Sequence, residues 1–176
     1  MQFRKLRAEE IQCRVGTISQ KGLTLLLYKD SRADMDILDE TVGAENWQRD
    51  HKELKGNMYC GVGIWDEKKG LFAWKWDCGS ESFTEAEKGE ASDSFKRACV
   101  NWGIGRELYT APFIWVSAER YEAKINKAGK PTTYDKFSVA KLTYTDDGKI
   151  DALAIKNDKT NQIVFCKMPS QKKGEK

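Results

Sequence analysis

The segment Ala91-Ser-Asp-Ser-Phe-Lys-Arg-Ala-Cys-Val-Asn-Trp-Gly103 decides how this chain is built. Wound as a helix, it places Ala91, Phe95, Ala98 and Trp102 on one apolar stripe, at spacings i, i+4, i+7 and i+11. Such a stripe is the buried face of a helix lying on another layer. Gly103 falls at the C′ position, where a residue without Cβ takes the left-handed turn that ends a helix. Thr84 and Glu87 upstream make a capping-box pattern. Gly89 lies inside the helix, costs about 1 kcal/mol relative to Ala, and points to close packing there. Lys96 and Arg97 fall beside and opposite the stripe.

Three strand patterns precede this helix. Trp47 to Glu53 places Trp47, Arg49 and His51 on one face. Met58 to Trp65 places Met58, Cys60, Val62 and Ile64 on one face and Gly61 and Gly63 on the other. Paired glycines inside a strand mark a bend or a close approach of another group. Asp66 to Gly70 is a turn, and Leu71 to Cys78 returns with Phe72, Trp74, Trp76 and Cys78 facing one way. The fold class is therefore α+β: an antiparallel β-β-β-α core with a long helix packed on the sheet. Trp74, Trp76 and Trp102 are expected in the core.

Further out the signals are shorter. Leu6 to Val15 reads as a helix of alternating charge, and Leu23 to Tyr28 as a buried strand. Asp30 or Ser31 caps a helix that runs to Val42 and stops at Gly43. Beyond Pro112, Phe113 to Val116 is a strand. Lys136 to Tyr144 and Lys149 to Lys156 form a C-terminal hairpin extension across Asp146-Asp147-Gly148, an Asp-Gly turn signal. Gln162 to Lys167 adds a third strand. No repeat or linker divides the chain, so residues 1–168 read as one domain and residues 169–176 as a disordered basic tail.

Composition sets outer limits. The chain has 176 residues, 40% hydrophobic and 32% charged, with a net charge of +3. No apolar run is long enough to span a membrane, and the N-terminus has no hydrophobic signal region, so the expected location is the cytoplasm. The charge is uneven: residues 118–176 carry thirteen Lys/Arg against eight Asp/Glu. Such a basic end permits contact with nucleic acid. Five cysteines without a CxxC pair read as reduced core residues rather than a zinc site.

Catalytic constellations are sparse. His51 is the sole imidazole and sits in a polar segment with no evident nucleophile partner. Gly61-Val-Gly63 and Gly103-Ile-Gly105 do not continue as phosphate loops, so no nucleotide cofactor is expected. The acidic cluster Asp77, Glu81, Glu85, Glu87, Glu90 and Asp93 admits a magnesium-dependent nuclease. However, acids opening a helix also answer the positive end of its dipole. Lys96 and Arg97, adjacent on the outward side of a buried helix, suit a polyanion or form an ordinary solvated face. Three readings stay open on these residues: a nucleic-acid-binding protein that is not an enzyme, a sheet-based protein-interaction module, and a nuclease.

A resemblance narrows the choice. Ala91-Ser-Asp-Ser-Phe-Lys-Arg-Ala98 with Trp102-Gly103 resembles the helix pattern of the Rad-fifty-two/Rad-twenty-two family of single-strand annealing proteins, particularly its short phage members. Asp39-Glu-Thr-Val-Gly-Ala-Glu-Asn-Trp47 is similar to the family's Gly-to-Trp segment. Glu10-Ile-Gln-Cys-Arg14 and Tyr28-Lys-Asp-Ser-Arg32 resemble its N-terminal elements. Cys60-Gly-Val-Gly-Ile-Trp65 and Asp77-Cys-Gly79 fit the strands between.

The resemblance implies ATP-independent annealing of single-stranded DNA in homologous recombination and repair. It implies a homo-oligomeric ring with DNA in an outer basic groove, no cofactor, and a recombination exonuclease or a single-strand-binding protein as further partner. By position it assigns DNA-backbone contacts to Lys96, Arg97 and Arg32, and a further basic position to Lys88. Where the family often carries another Arg, this chain has Val100, and Arg106 and Arg49 are the candidates to replace it. Residues 113–167 match no part of the family pattern.

Overall fold

The computed structural model describes residues 1–79 and 86–170. Two compact units interleave along the chain. One comprises Met1–Leu6 and Lys29–Arg106, the other Arg7–Tyr28 and Glu107–Lys176.

The first unit holds helix α1 (Ser31–Val42), strands β3 (Trp47–Leu54), β4 (Asn57–Asp66) and β5 (Leu71–Cys78), and helix α2 (Ala86–Trp102). The strands form an antiparallel meander in the order β3-β4-β5, paired along their length from Trp47↔Ile64 to Leu54↔Asn57 and from Tyr59↔Cys78 to Asp66↔Leu71. This is the β-β-β-α order expected. Asp30 caps α1 by accepting from the Arg32 amide at 2.7 Å, and Gly43 ends it at φ 87°. Thr84, half of the expected capping box, lies outside the described residues. Gly103 does close α2: at φ 106° it lets the Ile104 amide turn back to the Cys99 carbonyl at 3.1 Å.

In the second unit β1 (Ile11–Ile18), β2 (Gly22–Lys29), β6 (Ile114–Ser117), β9 (Phe137–Tyr144), β10 (Ile150–Asn157) and β11 (Ile163–Lys167) make one six-stranded sheet, ordered β11-β10-β9-β1-β2-β6. The short strands β7 (Lys124–Ile125) and β8 (Pro131–Thr132) pair separately. Leu23, Leu25, Ile114, Val116, Phe137, Leu153 and Ile155 form the buried core of this unit.

Three expectations change here. Leu6 to Val15 is not a helix. A single 3₁₀ turn, Ala8–Glu10, leads into β1, because Ile11, Cys13 and Val15 alternate with Gln12, Arg14 and Gly16 at the period of a strand. The C-terminal hairpin is no appendage: β1 pairs with β9 through Gln12↔Ser138, so the first and last strands of the chain share a sheet. Cysteines are only partly core. Cys60 and Cys99 are buried, Cys13 and Cys78 half-buried, and Cys166 exposed. Burial pushes the Cys60 thiol up to about 11, which keeps it protonated and inert.

Candidate nucleic-acid interface

Helix α2 lies on one face of the three-stranded sheet, and its stripe explains why. Phe95 and Ala98 are fully covered over Cys60, Val62 and Ile64, the inward side chains of β4. Trp47 packs on Phe95 with ring centroids 6.1 Å apart and donates its indole N–H to Asp39 at 2.6 Å. Trp102 donates to the Val62 carbonyl at 2.9 Å. Lys75 donates to the Asn101 carbonyl at 2.8 Å and sits 4.5 Å from the Trp102 ring. Gly79 fixes the closest approach: a Cβ there would stand 2.3 Å from the Glu90 carbonyl oxygen, so only glycine lets the end of β5 pass the helix. The helix-side strand face is thus aliphatic at its centre and charged around its rim. His51 belongs to this rim, its Nε2 3.4 Å from the Ala91 carbonyl.

The cations divide into two groups. Lys96 is half-buried on the α1 side of the helix. Its charge acts on Asp30 and Asp34, helping to lower the pKa of the first and opposing the rise of the second. Arg32 reaches Asp30 as well, with Nη2 2.9 Å from Oδ2. Hydrogen bonds from Arg32, reinforced by the nearby Lys96 charge, hold the Asp30 carboxyl below its ordinary range. Arg32 and Lys96 therefore converge on one carboxylate at the start of α1. Arg97 points the other way, with Nε 3.3 Å from Asp77 Oδ1 on β5. The neighbours in sequence stand on opposite flanks of α2, each beside an acid.

The remaining predicted cations are placed differently. Arg49 lies on β3 with its guanidinium 5.3 Å from the Phe95 ring centroid. Arg106 folds onto the end of α2, donating to the carbonyls of Val100 and Asn101, each at 2.9 Å; it satisfies helix-end acceptors. Lys88 belongs to the first turn of α2, and its side chain lies outside the described residues.

Beneath Lys96 is a pair that the sequence reading missed. Lys29 and Asp34, both buried, form an ion pair, and Lys29 also donates to the Ile104 carbonyl at 3.2 Å. Gly105 at φ 74° makes room for it: a Cβ there would meet the Lys29 side chain at 2.7 Å. Burial pushes the Asp34 carboxyl up to about 6, against the opposing charges of Lys29 and Lys96. A signal for the pair existed. Lys29 continues the Leu23, Leu25, Leu27 face of β2, and Asp34 shares the stripe of Ile37 and Leu38.

In this layered α+β unit the sheet-bound helix carries its two adjacent cations on separate flanks, each near an acid. Residues 59–127, about two-fifths of the chain, match the family model described as Rad52/22 family double-strand break repair protein. The match supports a Rad52-like protein. It contains β4 from Tyr59 onward, β5, α2, Lys96 and Arg97, while Arg32 and the Gly43-to-Trp47 segment lie outside it. No match appears among curated proteins or among solved structures.

Proposed function

We propose that this protein binds single-stranded DNA by its backbone and anneals complementary strands without ATP, in recombination and double-strand break repair. Copies assemble into a homo-oligomeric ring that lines up their cations in one groove. The observation that carries the reading is the placement of half-buried Lys96 and exposed Arg97 on the two flanks of the sheet-bound helix, within the stretch that matches the repair family. Arg32 joins Lys96 at Asp30. Phosphate contacts of this kind position a strand without reading its sequence, which suits a protein indifferent to sequence. A few cations per protomer bind weakly, and repetition around a ring raises affinity through effective concentration.

The test is Lys96→Ala with Arg97→Ala, followed by fluorescence anisotropy with an oligonucleotide across a salt series. The expected result is loss of binding at an unchanged assembly mass. An unchanged binding curve sinks the proposal in favour of a protein-interaction module. Magnesium-dependent loss of the oligonucleotide would instead mark a nuclease.

A further inference from the structure

The three-stranded sheet carries α2 on one face only. Its other face bears Trp65, Phe72, Trp74 and Trp76 in one unbroken row. Trp65 meets Phe72 edge-on at 5.2 Å between centroids, Phe72 lies 6.4 Å from Trp74, and Trp74 stacks on Trp76 at 5.7 Å with 26° between planes. Trp74 and Trp76 are not the core side chains expected: Trp74 is 37% exposed and Trp76 half-buried, beside Trp65 at 38%. Gly63 stands opposite Trp74 in the strand register, and Gly61 opposite Trp76. A Cβ on Gly61 would come within 2.5 Å of the Trp76 ring, and one on Gly63 within 2.8 Å of the Trp74 ring. The two indoles therefore lie against bare backbone, with Trp74 the more exposed and the Lys52 ammonium over the Trp76 ring. The Lys52 ammonium lies 4.5 Å from the Trp76 centroid, and its ion pair with Asp50, at 3.4 Å between exposed groups, is weak enough to exchange.

A contiguous aromatic surface left in water marks a place of interaction. Flat rings seated on glycine offer a protein partner few holes for interlocking side chains, as protein packing requires, and offer planar rings a matching surface. A cation at the end of the row adds a contact for phosphate. Rings in series beside a cation are the combination by which single strands are held without sequence preference.

We propose that this face is a stacking platform for the unpaired bases of single-stranded nucleic acid, distinct from the cation-bearing flanks of α2. It deepens the annealing reading and rests on it for the identity of the ligand. The platform and the helix lie on opposite faces of one sheet, so a single nucleotide does not touch both. Each protomer then has two places for a strand, one gripping backbone and one taking bases.

The full chain is titrated with oligo(dT) and with an abasic chain of the same length, following intrinsic tryptophan fluorescence and anisotropy together. Oligo(dT) is expected to quench the fluorescence, and the abasic chain is not. Trp74→Leu with Trp76→Leu is expected to weaken oligo(dT) binding about tenfold or more, leaving abasic binding and the salt slope unchanged. Lys96→Ala with Arg97→Ala is expected to remove binding of both ligands. Equal binding of both ligands by the unmodified protein overturns the platform and leaves the cationic interface standing. Quenching that survives while the cation substitutions have no effect overturns the cationic interface alone. A fall in assembly mass in the tryptophan variant, with its preference for bases intact, assigns the face to a second copy and overturns the proposal. Should that variant not fold, ultraviolet crosslinking of the unmodified protein to an iododeoxyuridine oligonucleotide decides. Attachment within residues 65–76 supports the platform, and attachment confined to other peptides overturns it.

Discussion

The two faces of the three-stranded sheet divide their work against the grain of hydrophobicity. The face that takes α2 is aliphatic and small at its centre, with Cys60, Val62 and Ile64 buried under Phe95 and Ala98, and has Arg49, His51, Lys75 and Asp77 at its margins. On the face with four aromatic side chains, Trp65 and Trp74 are exposed and Phe72 and Trp76 half-buried. Area alone would bury the tryptophans. Shape decides otherwise: helix side chains interlock with a thin aliphatic surface, whereas indoles lying flat over Gly61 and Gly63 leave nothing to interlock with. The difference teaches that a run of large apolar residues on one strand face does not always mark the face that is covered.

This contrast is breakable by experiment. Its most severe trial is Phe95→Ala, expected to cost about 4 kcal/mol by removing a fully buried ring, while Trp74→Ala, half-exposed, costs about 1 kcal/mol. Urea unfolding measures both, and equal losses would erase the distinction between the faces.

In the first unit the buried charges of Lys29 and Asp34 are paired. Asp34→Ala strands Lys29 and is expected to cost about 3 kcal/mol, whereas Lys29→Met with Asp34→Leu recovers most of that loss. Recovery fails if the pair's hydrogen bond to Ile104 is what matters. The same carboxyl has a pH signature. Its folded-state pKa of about 6 lies above the ordinary 3.8, so its contribution is fully present below about pH 4 and is lost as pH rises through 6. The melting temperature should therefore decline over that window, and Asp34→Asn should flatten the decline.

Gly63→Val sharpens the account of the open face. The added atoms displace the Trp74 indole at about 1–3 kcal/mol, and near-ultraviolet circular dichroism should register the lost stacking with Trp76. The smallest effect belongs to Arg97→Ala, whose exposed pair with Asp77 contributes about 0–1 kcal/mol to stability. A larger loss by thermal melting would make Arg97 a structural residue.

Much of the first unit was legible in the chain. The alternation of Met58, Cys60, Val62 and Ile64, the return strand from Leu71 and the stripe from Ala91 to Trp102 are local patterns, and local patterns survive folding. Gly61 and Gly63 announced a close approach, and two indoles supply it. What was hidden is non-local. Nothing near Gln12 says that it will pair opposite Ser138, and the charges between Leu6 and Val15 imitate a helix surface while the strand period is carried by only three residues. The choice of sheet face for α2 was equally hidden, because Trp74 and Trp76 are the natural candidates for a core by size. At the candidate site, position along the helix singled out Lys96 and Arg97, but their separate acidic companions depend on where α1 and β5 come to rest. Arg106 carried no sign that the end of α2 would claim its guanidinium.

The contact between Arg97 and Asp77 has a consequence for any strand that arrives there. If the proposed function holds, an incoming phosphate would change places with a resident carboxylate, so fewer small ions would be set free than a tally of basic residues suggests, and the response to ionic strength would be gentler. Departure is eased by the same means, since the displaced acid returns and the guanidinium is never stranded. On the proposed annealing function, a grip built on substitution would let one strand pass to its complement.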